Sequence, residues 1–282
     1  MRLIEKLLWS VVCALLCLTM LFPLVMLLSG SLMGSGEALK ALGPVFSGSE
    51  GYAYWPLLPQ YPTLQGYIQL TLDSPEFFAM FWNSVLYAVL SLLGQSMGVG
   101  AAWAFARYRF PLKKAIFALY VVLMLMPFQV TMIGQYLALD ALRLIDTRWA
   151  IVLPMAFSTL PVFIMTRFLE AVPDGMTEAA RMDGAGEWRI FLRIGLPLGF
   201  PGLLSAAVLS FIEIWGMIEQ PMTFLRSERL WPLSMYLPQI TGERLGWALT
   251  ASTLALLPPL LVFLCGQQYL EQGIGAMGMK EG

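Results

Sequence analysis

The chain has 282 residues, of which 58% are hydrophobic and only 12% are charged, and its formal net charge at pH 7 is −1. A soluble domain carries roughly 25% charged residues, so this composition excludes an ordinary water-soluble domain. The long apolar runs predict an all-α integral membrane protein rather than a β-barrel of short alternating strands. The near-neutral charge gives no indication of nucleic-acid binding.

The first apolar run covers residues 7–28 and is long enough to span a bilayer. We interpret it as a retained transmembrane helix, kinked near Pro23, because the apolar region of a signal peptide is shorter. Residues 29–77 follow and contain five prolines and several tyrosines. So many prolines exclude one continuous helix, and we expect a long, ordered extracytoplasmic loop.

Five further apolar runs form a core that covers about residues 78–265. Pro127 breaks the third of the six spans, and a short tail, residues 266–282, closes the chain. We therefore predict a single transmembrane domain over residues 1–282. Its six spans are expected at about residues 7–28, 78–106, 115–139, 149–168, 195–217 and 246–265.

The basic residues predict which side of the membrane each loop faces. One side holds eleven of the 17 lysines and arginines, and the other side holds six that are interleaved with acidic residues. The positive-inside rule therefore places both termini in the cytoplasm and residues 29–77 outside. The eleven are Arg2, Lys6, Arg107, Arg109, Lys113, Lys114, Arg167, Arg181, Arg189, Arg193 and Lys280; the six are Lys40, Arg143, Arg148, Arg226, Arg229 and Arg244.

A polar segment, residues 173–197, lies between the fourth and fifth spans on the predicted cytoplasmic side. Asp174 is a residue type that caps helix N-termini, and residues 178–181 predict a short helix. Gly184 suits a left-handed helix end, and a second short helix is predicted at 188–194. Small residues flanked by charges allow another backbone to approach closely. The residues alone leave two interpretations, a knob that docks on a partner protein and an amphipathic helix that lies on the membrane surface.

This segment resembles the EAA loop of ABC-transporter permeases. The matching residues are Glu178-Ala179-Ala180, Asp183-Gly184-Ala185, Ile194 and Leu196-Pro197. In that family the loop is a pair of coupling helices that seats in a cleft of the ATP-binding subunit. We call residues 173–197 the coupling loop. The resemblance implies that Glu178, Ala179, Ala180, Asp183, Gly184 and Ala185 form its contact with an ATPase.

Separate patches along nearly the whole chain resemble the inner-membrane permeases of carbohydrate ABC transporters, specifically the maltose-type second permease. Single patches are weak, but their order is specific for the family. At two places the chain departs from the family pattern, with Gly66 and Gly216 where that family has asparagine. The patches are Pro62-Thr63 with Gly66-Tyr67 and Asn83-Ser84, Ala104 to Arg107 with Phe110, Pro127 to Asp146-Thr147, Phe211-Ile212 with Trp215, and the tail from Gln267 to Gly282.

The resemblance implies a type I ABC importer permease fold in a bacterial plasma (inner) membrane. It also implies four kinds of partner: a second, non-identical permease, two ATP-binding cassette subunits, an extracytoplasmic solute-binding protein and membrane lipid. The chain itself lacks the G-x-x-x-x-G-K-[ST] phosphate loop. We therefore expect no enzyme activity, metal or cofactor in this chain, with ATP and Mg bound on the partner subunits.

Polar and aromatic residues in or near the spans are candidates for the path of the solute, because such groups usually face a protein interior or a wet cavity. Sugars favour aromatic faces combined with carboxylate or amide hydrogen bonds. The alternative is that each group forms hydrogen bonds between neighbouring helices. The candidates are Asn83, Gln129, Gln135, Tyr136, Glu213, Trp215 and Glu219.

The leading hypothesis is a translocation subunit of an ATP-driven importer for a sugar or oligosaccharide. A second hypothesis keeps the importer class and changes the solute to a glycerol phosphodiester, a polyamine or another small polar molecule. Glu213 and Glu219 would suit a cation. A third is a stand-alone channel or membrane enzyme, which the absence of histidine and of a carboxylate cluster disfavours.

Overall fold

The computed structural model describes residues 2–47, 52–236 and 245–278. Within these ranges the regular structure is helical and contains no strand. The expectations for Arg244, Lys280 and the end of the tail lie outside the described residues. By contacts the chain forms two units, Met1–Ala79 with Tyr236–Leu257, and Met80–Met235 with Pro258–Gly282.

The first unit contains the first predicted span and the long loop. Helix α1 (Arg2–Ser31) carries Pro23 inside, and its apolar side chains are mostly exposed. Two helices, α2 (Ser35–Ser47) and α3 (Gln65–Asp73), lie within the predicted loop, so the described part of this loop is ordered as expected. The Trp55 indole donates to Ser29 Oγ at 3.1 Å, which fixes the loop to the end of α1.

The second unit holds most of the predicted core. Helices α4 (Pro75–Ser96, mostly in this unit) and α5 (Gly98–Arg107) form the second span, and α8 (Trp149–Ala156) with α9 (Thr159–Glu170) forms the fourth. Helix α10 (Asp174–Met182) precedes a continuous helical stretch. This stretch runs from α11 (Glu187–Ile190) through a π-helical turn (Phe191–Gly195) to α12 (Leu196–Gly216). Helix α13 (Glu219–Phe224) follows, and α14 (Leu245–Gly278) begins in the first unit and ends here.

The third predicted span is two helices, α6 (Lys113–Leu125) and α7 (Phe128–Ala141), that meet at 107°. The break falls at Pro127, which lacks the N–H that would continue the helical hydrogen bonds. The residue before a proline favours extended backbone, and Met126 has ψ 126°. In the described residues five helices are long and apolar enough to cross a membrane, or six if this bent pair counts as one span.

Glycines let α12 approach α5 and α9 closely. A Cβ added to Gly195 would lie 2.5 Å from the Trp103 ring. One added to Gly199 would lie 2.5 Å from Leu169, and one added to Gly202 would lie 2.5 Å from Phe168. In lipid no hydrophobic effect draws helices together, and small residues at helical spacing allow them to pack closely. This packing gives the coupling loop a rigid base.

Candidate functional site

The coupling loop begins with α10, which follows extended backbone at Pro173. Asp174 is the first residue of the helix and not its N-cap, and its side chain forms no capping hydrogen bond. The predicted second helix at 188–194 is also not separate, because α11 and the π-helical turn continue into the fifth span. The coupling loop is therefore one separate short helix, α10, followed by the start of a long one.

Gly184 ends α10 in the left-handed conformation that the sequence predicts, with φ 77°. The Ala185 N–H donates to the Ala180 carbonyl at 2.9 Å, and the Gly184 N–H donates to the Arg181 carbonyl at 3.0 Å. This pair of bonds is the Schellman motif, which satisfies the last helical carbonyls. Among the described residues, and apart from its own chain neighbours, no atom lies within 4 Å of where a Cβ would stand on Gly184, so the backbone conformation and not space favours glycine here.

The six predicted contact residues point in two directions. Ala180 and Ala185 are half-buried and pack against the hydrophobic cluster formed by α5, α9 and α12. The other four are exposed: Glu178, Ala179, Asp183 and Gly184.

Large apolar side chains that the family motif does not contain extend this exposed surface. Met176 is 46% exposed, Met182 is 89% exposed and Trp188 is 71% exposed. Exposed apolar groups rimmed by charge are typical of a surface that binds another protein. Large apolar residues inside a polar segment were the sequence signal that could have identified them.

Arg107, the last residue of α5, links the end of the second span to the first residue of α10. Its guanidinium donates to the Leu169 carbonyl at 2.7 Å and to the Val172 carbonyl, and it forms an ion pair with Asp174. Its side chain is only 6% exposed and lies over the Trp103 ring. A buried guanidinium needs several acceptors, and two of them are the carbonyls of Leu169, in the last turn of α9, and of Val172, just after it.

Glu187 links the C-terminal end of α10 to Tyr108, which directly follows the second span. It accepts from Arg181 Nε at 2.7 Å and from the Tyr108 hydroxyl at 2.8 Å. The hydrogen bond to Glu187 raises the pKa of Arg181. Burial raises the pKa of the Tyr108 hydroxyl, and its hydrogen bond to Glu187 adds to this. Both shifts favour the protonated forms, which are the forms that donate to Glu187.

Two of the predicted path residues line one pocket of about 300 Å³ at the end of α12. Glu213 and Glu219 both lie in its wall, and Gln129 Nε2 donates to Glu219 Oε1 at 2.5 Å. Carboxylates that line a pocket of this size can accept hydrogen bonds from several hydroxyl groups of one solute. The full lining is Phe128, Met155, Glu213, Gly216, Met217, Ile218, Glu219 and Gln220.

The other four predicted path residues have structural partners. The Asn83 amide donates to the carbonyls of Arg229 and Trp231 at 2.8 and 3.1 Å. Trp215 is buried and stacks on Phe211 with ring centroids 5.5 Å apart.

The remaining two form weaker contacts. Gln135 Nε2 donates to Thr131 Oγ1 at 3.2 Å within the same helix, and the Tyr136 hydroxyl accepts from Arg226 at 3.4 Å. The hydrogen bonds of Asn83 and the stacking of Trp215 are the stronger contacts. They favour the alternative interpretation, in which these two groups hold the fold together.

Asp146 organises the turn that faces the predicted outer side. It has φ 59°, and its carboxylate accepts from the Arg226 N–H at 2.8 Å. It also accepts from the Ser227 N–H at 2.8 Å and from the Ser227 hydroxyl at 2.6 Å. The Ser227 and Arg226 hydrogen bonds hold the pKa of Asp146 below its usual value of 3.8. This carboxylate thus holds the start of the loop after α13.

A family model described as "Binding-protein-dependent transport system inner membrane component" matches residues 94–276. A probable ABC transporter permease protein of Pyrococcus horikoshii is 34% identical over 78% of this chain and 83% of its own length. The arabinooligosaccharides transport system permease protein AraQ of Bacillus subtilis is 29% identical over 94% of this chain and 92% of its own length.

A solved structure shares the fold. It is described as a bacterial ABC transporter involved in the import of the acidic polysaccharide alginate. One of its chains superposes with a TM-score of 0.79 and 21% sequence identity, over 94% of this chain and 96% of that one. The apolar helices and the family match make this chain a multi-pass protein of the plasma membrane. It belongs to the family of inner membrane components of binding-protein-dependent transport systems.

Proposed function

We propose that the chain is the translocation subunit of an ATP-driven importer for a sugar or oligosaccharide, and that the coupling loop connects it to separate ATP-binding subunits. The observation that carries the proposal is the coupling loop itself. It presents an exposed helix with a glycine-ended turn and exposed Met176, Met182 and Trp188, on a base of closely packed helices. The Bacillus subtilis relative named for arabinooligosaccharide transport supports the solute class.

The partners follow from the same proposal. The complex would contain a second, non-identical permease and two ATP-binding cassette subunits, which bind ATP and Mg. A solute-binding protein on the outer side would deliver the solute, in agreement with the description of the family as binding-protein-dependent. We propose that residues 1–282 act as one permease domain with both termini in the cytoplasm.

The pocket at the end of α12 is our candidate for contact with the solute. Glu213 and Glu219 would accept hydrogen bonds from sugar hydroxyls, and Gln129 would orient Glu219. We expect Trp215 to act indirectly, by holding the end of α12 beside this pocket, and Asn83 to hold the loop at Arg229 and Trp231.

The test replaces a coupling residue and measures transport and assembly separately. Glu178→Ala or Gly184→Val should lower ATP-dependent sugar uptake by proteoliposomes about tenfold or more, because coupling free energies between sites are typically 1–3 kcal/mol. Co-purification with an ATP-binding chain should weaken in the same variants. Glu76→Ala, at an equally exposed glutamate near the start of α4, is the matched control and should change neither. Normal uptake by an intact complex carrying both coupling variants would refute the coupling role.

A further inference from the structure

Two adjacent residues at the cytoplasmic end of the second span contact opposite ends of α10. Arg107 reaches Asp174, the first residue of the helix. Tyr108 reaches Glu187, which in turn binds Arg181 one residue before the helix ends. The helix that carries the predicted ATPase contacts is therefore attached at both ends to a single dipeptide.

The attachment at Arg107 resists separation. The guanidinium is buried, and its acceptors are the carbonyls of Leu169 and Val172 and the carboxylate of Asp174. Moving α10 away would leave a buried cation without its counter-ion, which is more costly than breaking an exposed ion pair.

The attachment at Tyr108 is more exposed but has a specific geometry. Glu187 accepts from Arg181 Nε and Nη2 at 2.7 and 3.3 Å, and the second oxygen also accepts from the Tyr108 hydroxyl at 2.8 Å. A bidentate guanidinium–carboxylate pair fixes direction as well as distance. Glu187 also begins the helical stretch that leads into α12, so this bond joins three elements.

The dipeptide is itself fixed to the body of the protein. The Tyr108 N–H donates to the Ala104 carbonyl at 3.0 Å, and Lys113 Nζ donates to the Tyr108 carbonyl at 3.1 Å. One turn earlier, the Trp103 ring lies in van der Waals contact with Gly195 of the fifth span. Interiors packed this closely transmit a displacement instead of absorbing it.

We propose that Arg107 and Tyr108 are positioning residues that clamp both ends of α10 to the second span, so that any displacement of α10 moves α5 with it. The proposal rests on the proposed coupling function and adds the element that receives the movement. By this account the second span responds first to the ATP-binding subunits, through α10 and not only through the chain connection to the fifth span.

The experiment is hydrogen exchange on the assembled complex in nanodiscs, with and without MgATP plus vanadate. Exchange is followed in two peptides, residues 174–182 and residues 104–112. In the wild-type complex both peptides should change together, each by about twofold or more. In the double variant Tyr108→Phe with Asp174→Asn, MgATP plus vanadate should still change the hydrogen exchange of residues 174–182. The exchange of residues 104–112 should no longer respond. Arg109→Lys is the control at a neighbouring, exposed arginine and should behave as the wild type.

Each outcome bears on one claim. If 174–182 does not respond in the wild-type complex, the proposed coupling function fails. If 174–182 responds and 104–112 does not, or if 104–112 responds equally in the double variant, the clamp is refuted. A purely structural role would slow assembly without separating the two responses. If the double variant does not assemble, Tyr108→Phe alone, which keeps the Arg107 attachment, should reduce the exchange response of residues 104–112 while that of residues 174–182 persists. An unchanged response of residues 104–112 in this single variant would refute the Tyr108 attachment.

Discussion

At the scale of single residues, the structure separates polar groups that hold the fold from those that are free to bind. Asp146 belongs to the first kind, because its carboxylate satisfies two backbone N–H groups and a hydroxyl in a loop 80 residues away in sequence. Glu213 is exposed on the wall of a pocket, and we propose that it belongs to the second kind. Composition does not distinguish these two acids.

Replacing Asp146 by asparagine should destabilise the protein at neutral pH. The pKa of Asp146 is lowered in the folded state, so its contribution is present above the usual value of 3.8 and is lost as the pH falls through the folded pKa. We expect a loss of about 1 kcal/mol near pH 7, as for other exposed charge-assisted hydrogen bonds. In thermal unfolding in detergent, the difference in unfolding temperature between the variant and the wild type should narrow below about pH 4.

Asp140→Asn provides the control for this measurement, because Asp140 is an exposed acid on the preceding turn. Its replacement should leave the unfolding temperature unchanged at both pH values. If the difference in unfolding temperature between Asp146→Asn and the wild type stays constant across the pH range, the assigned role of the carboxylate is contradicted.

At the scale of elements, close contacts of glycine decide which helices pack together. Gly202 faces Phe168 of α9 across the α9–α12 contact, and Gly195 faces Trp103 of α5. The coupling loop lies between these same helices in the chain, so their packing fixes the base from which α10 projects. A larger residue would separate α12 from its neighbours and displace that base.

We expect Gly202→Ala to cost about 1–3 kcal/mol, because its Cβ would lie 2.5 Å from the Phe168 side chain. Gly100→Ala is the matched control, since Gly100 is also inside a helix, but in the described part of the chain no atom outside its own helix backbone lies within 4 Å of the added Cβ. It should be neutral or stabilising by about 0.5–1 kcal/mol, as helical glycine-to-alanine changes are. Chemical denaturation in detergent compares the free energies of unfolding of the two variants. Equal changes in the two would mean that the α9–α12 contact is not tight.

At the scale of the whole molecule, the sidedness of the loops decides whether α10 can meet an ATP-binding subunit. Sidedness was predicted from the distribution of lysine and arginine, independently of any resemblance to known permeases. Burial and hydrogen bonds within one chain do not depend on which way it is inserted. This prediction therefore needs a measurement in a membrane.

The measurement uses single cysteines in a background that lacks Cys13, Cys17 and Cys265. Leu142→Cys and Met182→Cys place thiols at side chains that are 65% and 89% exposed. A membrane-impermeant maleimide should label Leu142→Cys in intact cells, and Met182→Cys only after the membrane is opened. Labelling of Met182→Cys in intact cells would place the coupling loop outside and overturn the proposed function.

Sequence reasoning succeeded where the signal is local. Apolar length predicts spans, and the left-handed preference of glycine predicted the end of α10 at Gly184. It failed where a partner is distant in the chain. Asp174 was expected to cap its own helix and instead pairs with Arg107, 67 residues away. Nothing in the sequence indicated that Asn83, which stays a candidate for the solute path, binds backbone carbonyls 146 and 148 residues away.

The sequence by itself determined that the chain is a helical membrane protein, but not that the helix after α10 begins at Glu187 and continues into the fifth span. Hydropathy and turn preference are properties of neighbouring residues, so no fold is needed to evaluate them. Only the tertiary structure decided that Arg107 and Tyr108 hold both ends of α10, that Asn83 and Trp215 are engaged, and that Glu213 and Glu219 share a pocket. A hydrogen bond depends on a distance of about 3 Å between two groups, and the folded chain alone sets that distance.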